Sequence, residues 1–189
     1  MTSPESASFS PFRSEILMPQ PAVPQDDFRQ IMQIFPSAVA VITALDEDGI
    51  PRGLTCSAFC SLTMDPPAML ICVNRHNGSL EAIRGSGGFV ANLLRAGRHR
   101  IARTFASPVE DKYAGITWQP TPRSNLPWFP DDALAFVECK LVADVAAGTH
   151  AMLIGLVQDG GVQETRDGPL VYWHQNYGQW TPTEGVTTG

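Results

Sequence analysis

Short runs of apolar and β-branched residues recur along most of this chain, and turn-forming residues separate them. Seven runs have the length and composition of β-strands. They cover residues 38–45, 51–62, 68–74, 88–94, 134–146, 150–158 and 170–173. Asp46-Glu47-Asp48-Gly49 joins the first two runs and is typical of a hairpin turn. Many strands and few helices favour an antiparallel barrel over a parallel sheet.

Three segments instead carry apolar residues at helical spacing. Near the N-terminus, Asp26 or Asp27 can cap a helix. Its apolar side would consist of Phe28, Ile31, Met32 and Phe35. Two more helices are predicted over 78–84 and 98–106. Residues 112–130 are dense in proline and aromatic residues, which predicts a long surface loop that covers a site or a subunit contact.

The two ends of the chain differ in composition from the middle. Residues 1–24 are rich in Ser and Pro and lack an apolar period, which predicts a flexible arm, or one that orders only on a partner subunit. Residues 181–189 form a similar tail. No linker or repeat divides residues 25–180, so we expect one domain there.

Charge and cysteine usage narrow the function classes. The net charge of −6 argues against a nucleic-acid partner, because phosphates would repel an acidic chain. No apolar run is long enough to span a membrane and no signal peptide is visible. The four cysteines form no CxxC pair and no spacing typical of a metal site. We therefore predict reduced, mostly buried thiols in a cytoplasmic protein.

The segment Gly53-Leu54-Thr55-Cys56-Ser57-Ala58 interrupts an apolar strand with small and hydroxyl-bearing residues. An ordinary strand end with backbone-bonded hydroxyls is one interpretation. However, a packed β core has little use for several adjacent small polar side chains. A flat polar ligand that lies against the backbone needs hydrogen-bond donors without bulk, so the segment indicates a ligand site.

The surrounding stretch resembles the short-chain flavin reductases, the reductase partners of two-component flavin monooxygenases. Residues 35–74 carry the main motif, FPSAVAVITALDEDGIPRGLTCSAFCSLTMDPPAMLICVN. Further matches follow at 89–94, 101–106, 148–150 and 169–172, so that the resemblance covers about residues 28–180. The resemblance implies a mainly β fold, the FMN-binding split β-barrel with a few short peripheral helices.

The same resemblance implies a site for FAD or FMN. The elbow at 55–58 would meet the edge of the isoalloxazine ring, with Cys56 as small filler and not as a redox thiol. The ribityl chain and phosphate would run past the end of the strand at 68–74 to the next helix N-terminus, although an ordinary capped surface helix fits that local pattern too. The expected flavin-binding residues are Thr55, Cys56, Ser57, Ala58, Cys72, Asn74, Arg75, Ser79, Asn92, His99, Arg103 and Tyr172.

Five basic residues lie within nine positions of this acidic chain, namely Arg95, Arg98, His99, Arg100 and Arg103. A solvated helix face explains some of them, since one helix cannot aim all five at one point. The resemblance implies that Arg103 contacts a phosphate, with His99 next. We hypothesise that the surplus arginines Arg98 and Arg100 contact the second phosphate of FAD or the diphosphate of a nicotinamide dinucleotide.

His150 follows Gly148 and Thr149, where the flavin reductases have Gly-Asp-His. A polar residue at a strand start is the plainer interpretation. The resemblance implies instead that His150 is catalytic and holds the nicotinamide of NADH, or of NADPH. Thr149 stands where the relatives have Asp, and this is the main departure from the family pattern.

The expected function is therefore that of a NAD(P)H:flavin oxidoreductase, a homodimer that passes reduced flavin to a separate monooxygenase. No GxGxxG fingerprint, P-loop or serine-nucleophile elbow is present, so a Rossmann dehydrogenase is not expected. The alternatives are a non-catalytic flavin-binding barrel and a flavin oxidase of the pyridoxine-phosphate type. A third alternative is an interaction module in which the arginine-rich segment docks an acidic partner.

Overall fold

A curled antiparallel sheet forms the centre of this computed structural model, which describes residues 11–165 and 167–182. The strands are β1 (Phe12–Ile16), β2 (Ser37–Ala38), β3 (Ala40–Leu45), β4 (Pro51–Cys56), β5 (Phe59–Met64), β6 (Pro67–Asn74), β7 (Gly88–Leu94), β8 (Gln119–Pro120), β9 (Pro127–Trp128), β10 (Ala133–Ala147), β11 (His150–Val162), β12 (Leu170–Trp173) and β13 (Asn176–Gln179). The helices are α1 (Gln25–Gln33), α2 (Ser79–Ser86) and α3 (His99–Ala106).

The order of the strands shows how the sheet closes. It runs β4-β3-β7-β10-β11-β6-β5. β4 and β5 lie at opposite ends of this order, although only Ser57 and Ala58 separate them in sequence. The sheet therefore curls until its ends meet, and the Cys72 N–H on β6 donates a hydrogen bond to the Ala58 carbonyl at 2.8 Å. This arrangement confirms the predicted mainly β split barrel with a few short helices.

Strands β3 and β7 are buried on both faces, which explains their nearly continuous apolar sequence. One face looks into the barrel, where Ile42 packs in a cluster with Phe89 and with Leu80 of α2. The opposite face carries Val41, which belongs to a second cluster with Phe105 of α3. The two clusters fix α2 and α3 on different sides of the same strands.

The helices contribute unequally to the core. Leu80 and Ile83 of α2 and Ile101 and Phe105 of α3 are buried. None of the residues of α1 is buried. No helix in the described part of the chain is long and apolar enough to cross a membrane.

Two strand predictions were incomplete. The single run 51–62 is divided into β4 and β5, because the chain turns at Ser57 and Ala58. The sequence pattern also missed β13, which pairs with β12 through a turn at His174 and Gln175. Both turn residues have positive φ, at 46° and 61°, as a two-residue hairpin of type I′ requires. Neither is Gly, Asn or Asp, so the usual sequence signal for this turn is absent.

The N-terminal segment is more ordered than predicted. β1 pairs in parallel with β10 of its own chain, from Phe12 opposite Ala143 to Ile16 opposite Ala147. All five residues of β1 are exposed, so that backbone pairing and not burial holds the strand. Residues 12–16 of the predicted arm therefore form a strand that pairs within the chain. The remainder of the arm at 1–10 and the predicted tail beyond residue 182 lie outside the described residues.

The predicted surface loop at 112–130 is partly core. It contains the paired strands β8 and β9, and Phe129 is completely buried. The Phe129 ring lies 5.5 Å from the Phe105 ring and 5.9 Å from the Tyr113 ring, centre to centre. The prediction was wrong here because a high density of prolines indicates a loop. It does not indicate whether the aromatic residues between the prolines pack against an apolar surface.

Gly155 on β11 generates a stability prediction, since a Cβ atom there would lie 2.6 Å from the Cys139 Cβ and 2.7 Å from the Phe89 Cζ. Gly155→Ala should lower the free energy of unfolding by about 1–3 kcal/mol, because a packed core does not yield to an added methyl. Urea denaturation measures this change. Gly178→Ala is the control, since nothing lies within 4 Å of a Cβ at that position. Equal losses in both variants would contradict the packing argument.

Candidate functional site

The elbow between β4 and β5 lies beside α3. The Thr55 hydroxyl donates a 2.6 Å hydrogen bond to the Ala102 carbonyl on that helix. Ser57 and Ala58, the next two residues outside the strands, are exposed. Thr55 therefore joins the helix to the sheet, and Ser57 and Ala58 form the accessible part of the predicted flavin edge.

Cys56 fills the space beneath this elbow. Its Sγ lies 3.5 Å from the Ala58 carbonyl oxygen and 3.6 Å from the Cys72 carbonyl oxygen. Burial raises the pKa of the Cys56 thiol to about 11. The thiol therefore stays protonated at neutral pH, which suits a packing role and not a redox role. Burial also raises the pKa of the half-buried Cys72 thiol.

The elbow presents hydrogen-bond donors that the fold does not use. In the described part of the chain, no partner is found for the Ser57 hydroxyl or for the backbone N–H groups of Ser57 and Ala58. The Ala58 side chain is a single methyl group, so a planar ring can approach the backbone closely. The carbonyl and ring nitrogen acceptors along one edge of a flavin fit these exposed donors.

α2 begins at Ser79, a short turn after β6 ends at Asn74. The Asn74 Oδ1 accepts a 2.9 Å hydrogen bond from the His76 N–H, and the Asn77 Oδ1 accepts one of 2.9 Å from the Ser79 N–H. Asn74 and Asn77 thus shape the turn that leads into the helix. Ser79 is buried and lines the groove described next, at a helix end that favours anions.

A groove of about 1140 Å³ runs from the α2 N-terminus past Gly53 of β4, two residues before Thr55, to the segment after α3. Ser79 is the one predicted flavin-binding residue among its lining residues. Most charges in the groove are acidic. Its carboxylates are Asp46, Glu47, Asp48, Glu81, Glu110 and Asp111. Its permanent cations are Arg52, which pairs with Asp46 at 2.8 Å, and Lys112.

Lys112 lines this groove, and the sequence did not indicate it. Its Nζ donates to the Phe105 carbonyl at 3.0 Å and to the Gly53 carbonyl at 3.4 Å. Partial burial lowers its pKa. The position beside the groove depends on where the chain turns after α3, and no local pattern signals that turn.

The arginine-rich segment divides into paired and unpaired side chains. Arg95 lies 3.3 Å from Asp167 and also donates to the Asp131 carbonyl. Arg98 lies 3.3 Å from Asp132. The carboxylates that pair with Arg95 and Arg98 make both arginines part of the scaffold. The structure therefore does not support Arg98 as a free ligand for a second phosphate.

Arg103 and His99 lie one turn apart on α3, and both are exposed. The Arg103 guanidinium carbon lies 5.8 Å from the centre of the Tyr177 ring. Tyr177 packs on Tyr172 with ring centres 5.1 Å apart. Tyr172 thus packs against Tyr177 on the adjoining strand, and Tyr177 places a second aromatic ring beside Arg103.

His150 begins β11, and β6 lies between β11 and the strand β5 that follows the elbow. It pairs with Asn74 of β6, two residues from Cys72. The imidazole is exposed and its Nδ1 lies 3.0 Å from the Thr149 hydroxyl. Thr149 therefore occupies one ring nitrogen, and Nε2 is the nitrogen available to a ligand.

Two predicted flavin ligands have other partners. Arg75 donates from its side chain to the Gly148 carbonyl at 3.3 Å, and its backbone N–H donates to the Thr149 carbonyl at 2.9 Å. The Asn92 side chain is completely buried and holds the Val41 carbonyl and the Phe129 N–H. Asn92 therefore belongs to the core and not to the candidate site. Burial could not be predicted from its strand position alone.

Thiol labelling tests this account of the elbow. Iodoacetamide at pH 8 should modify the exposed Cys60 first. Cys56, with its pKa raised to about 11, has about one thiolate in a thousand at this pH. The buried Cys139, with its pKa raised to about 12, has fewer still. Peptide mass spectrometry should find Cys56 and Cys139 labelled only after unfolding. Labelling of native Cys56 at the rate of Cys60 would contradict this prediction.

Known proteins resemble this chain in sequence and in fold. The chain is 40% identical over 156 residues to a flavin reductase (NADPH) from Lentzea aerocolonigenes, covering 82% of this chain and 90% of that protein. It is 39% identical over 163 residues to a flavin reductase (NADH) from Kitasatospora aureofaciens, covering 86% and 85%. The crystal structure of a nitrilotriacetate monooxygenase component B homologue from Mycobacterium thermoresistibile superposes with a TM-score of 0.81, at 30% identity, over 87% of this chain and 91% of that one.

A family model, the flavin reductase like domain, matches residues 32–181. This range contains the elbow, α2, α3 and His150, and it excludes β1 and most of α1. The chain belongs to the flavin reductase-like family.

Proposed function

We propose that this chain is a NAD(P)H:flavin oxidoreductase that supplies reduced flavin to a separate monooxygenase. The observation that carries the proposal is the exposed elbow of unused donors at Ser57 and Ala58, with His150 at the same end of β6. A flavin ring on the elbow and a nicotinamide at His150 would adjoin each other.

In this reaction, the residues of the chain bind the flavin and the nicotinamide and orient them. When bound, FAD or FMN accepts a hydride from the nicotinamide, so both reacting atoms belong to the ligands. Ser57 and Ala58 offer donors to the ring edge on which negative charge grows. His150, with Nδ1 engaged by Thr149, presents Nε2 to the nicotinamide. Rates rise because the two rings are held in contact.

The phosphate end of the flavin is proposed to reach either the N-terminus of α2 or the exposed side of α3, which pack on different sides of β3 and β7. Ser79 at the α2 N-terminus and Arg103 with His99 on α3 are the candidate ligands. The acidic groove beyond Ser79 disfavours a second anionic group. Both FAD and FMN are kept as candidate flavins, and NADH is the proposed donor with NADPH as the alternative.

The first experiment is anaerobic stopped-flow absorbance with each flavin and each nicotinamide nucleotide in turn. Bleaching of the flavin band at a catalytic rate supports the reductase and names both nucleotides. Flavin binding without bleaching would favour a non-catalytic barrel or an oxidase. Absence of flavin binding would favour an interaction module and overturn the proposal.

A His150→Ala variant tests the nicotinamide position. The catalytic efficiency (kcat/KM) for NADH should fall about 10- to 100-fold, because the ring loses a positioning contact while the flavin keeps its own. Steady-state kinetics and flavin titration measure the two effects separately. His174→Ala is the control, since His174 is exposed in the β12–β13 turn. A parallel loss of flavin affinity would contradict the assigned role.

The partner monooxygenase is proposed from the named activity of the nitrilotriacetate monooxygenase component B homologue. Reduced flavin would leave the exposed elbow and bind the oxygenase. The four free thiols suit a reducing compartment, and we propose the cytoplasm.

We also propose a homodimer. An exposed apolar patch carries residues Phe28, Ile31, Met32, Ile34, Phe35 and Trp173. The Trp173 indole donates to the Ile34 carbonyl at 2.9 Å, which ties the end of α1 to β12. Large exposed apolar patches mark association sites, and a second copy is the proposed cover.

Ile31→Glu should convert the dimer to a monomer, because the interface would bury an unpaired charge. Light scattering coupled to gel filtration measures the mass. Gln30→Glu adds the same charge to the neighbouring position on α1 and should leave the dimer intact. A monomeric wild-type protein at micromolar concentration, or equal dissociation of both variants, would overturn this arrangement.

A further inference from the structure

Arg75 connects three segments of the chain at one point. Its backbone N–H and its guanidinium bind the two successive carbonyls of the β10–β11 turn, at Thr149 and Gly148. The guanidinium also lies 3.6 Å from the Glu15 carboxylate of β1. Arg75 itself follows directly after β6.

The N-terminal strand also reaches this turn. β1 runs parallel to β10 and ends with Ile16 opposite Ala147, the residue before the turn. The Met18 side chain then passes Gly148, with its Cγ 3.6 Å from the point where a Gly148 Cβ would lie. The turn is therefore held between Arg75 and residues 15–18.

His150 depends on the conformation of this turn. Ala147 pairs with His150, so only Gly148 and Thr149 join the two long strands. Gly148 has a φ of +57°, in the left-handed region. Thr149 contacts the imidazole directly, at 3.0 Å. A change in the backbone of Gly148 or Thr149 would therefore move the Thr149 hydroxyl that contacts the imidazole.

We propose that Arg75 is a positioning residue for His150, and that Glu15 and Met18 of the N-terminal segment brace the turn that carries it. The proposal rests on the proposed function, because it assigns a consequence to the placement of the nicotinamide-binding His150. It replaces the phosphate contact that the sequence predicted for Arg75. The two roles affect different ligands, so they can be separated by experiment.

The decisive variant is Arg75→Met, which keeps the length of the side chain and removes its donors. The KM for the nicotinamide nucleotide should rise about 10-fold, while the flavin dissociation constant changes less than about twofold. Arg75→Lys should recover part of the loss, since an ammonium can donate to the Gly148 carbonyl but not in the fork geometry of arginine. Arg123→Met, an exposed arginine between β8 and β9, is the matched control.

A double-mutant cycle tests the brace from β1. Glu15→Gln alone should raise KM less than about threefold, because exposed ion pairs contribute little. In the Arg75→Met background it should have no further effect, since its partner is gone. Circular dichroism and thermal melting verify that each variant is folded.

The outcomes separate this inference from the proposed function. Weaker flavin binding by Arg75→Met with an unchanged KM would make Arg75 a phosphate ligand and overturn the inference. An unchanged KM and flavin affinity would overturn it too. If His150→Ala leaves KM unchanged, the nicotinamide role of His150 fails first. If His150→Ala raises KM and Arg75→Met does not, the positioning role alone fails.

Discussion

Closure of the sheet at the elbow is the constraint on which the rest of the molecule depends. The two ends of the strand order meet at Ser57 and Ala58, where the protonated Cys56 thiol of β4 lies 3.6 Å from the Cys72 carbonyl oxygen of β6. Ser57 and Ala58 turn between β4 and β5, and a turning backbone cannot form hydrogen bonds with a neighbouring strand on both sides. Their N–H donors therefore remain exposed. The chemistry proposed for this protein uses the groups that the closure leaves free.

Electrostatics divide the basic residues into those that build the fold and those that remain for a ligand. Arg95 and Arg98 are paired with carboxylates of other segments, and Arg75 is engaged by the turn at Gly148. In the described part of the chain, the Arg103 side chain packs over the Tyr177 ring and remains exposed on α3. In a chain with a net charge of −6, the location of the few unpaired cations decides where an anionic ligand can approach.

Prediction from sequence succeeded where the signal is local. The strands around the elbow, the α2 and α3 segments and the hairpin at 46–49 follow from side-chain periodicity and turn chemistry. It failed where partners are distant in sequence. β1 contributes no buried side chain and is held by pairing with β10, Phe129 is covered by aromatic residues of α3 and the following segment, and Asn92 is satisfied by a strand and a loop from elsewhere.

The amino-acid sequence by itself determined the antiparallel barrel class, the small polar elbow at Thr55 to Ala58 and the place of His150 at a strand start, because each depends on neighbouring residues. The resemblance of its motifs to the flavin reductases narrowed that class to the split barrel. Only the tertiary structure decided which of the predicted polar residues are available to a ligand. Asn92, Arg75 and Arg98 have the right chemistry, but the fold brings each to a partner that occupies it. Whether a side chain is free to bind a ligand depends on its neighbours in the folded structure, and the sequence pattern does not contain those neighbours.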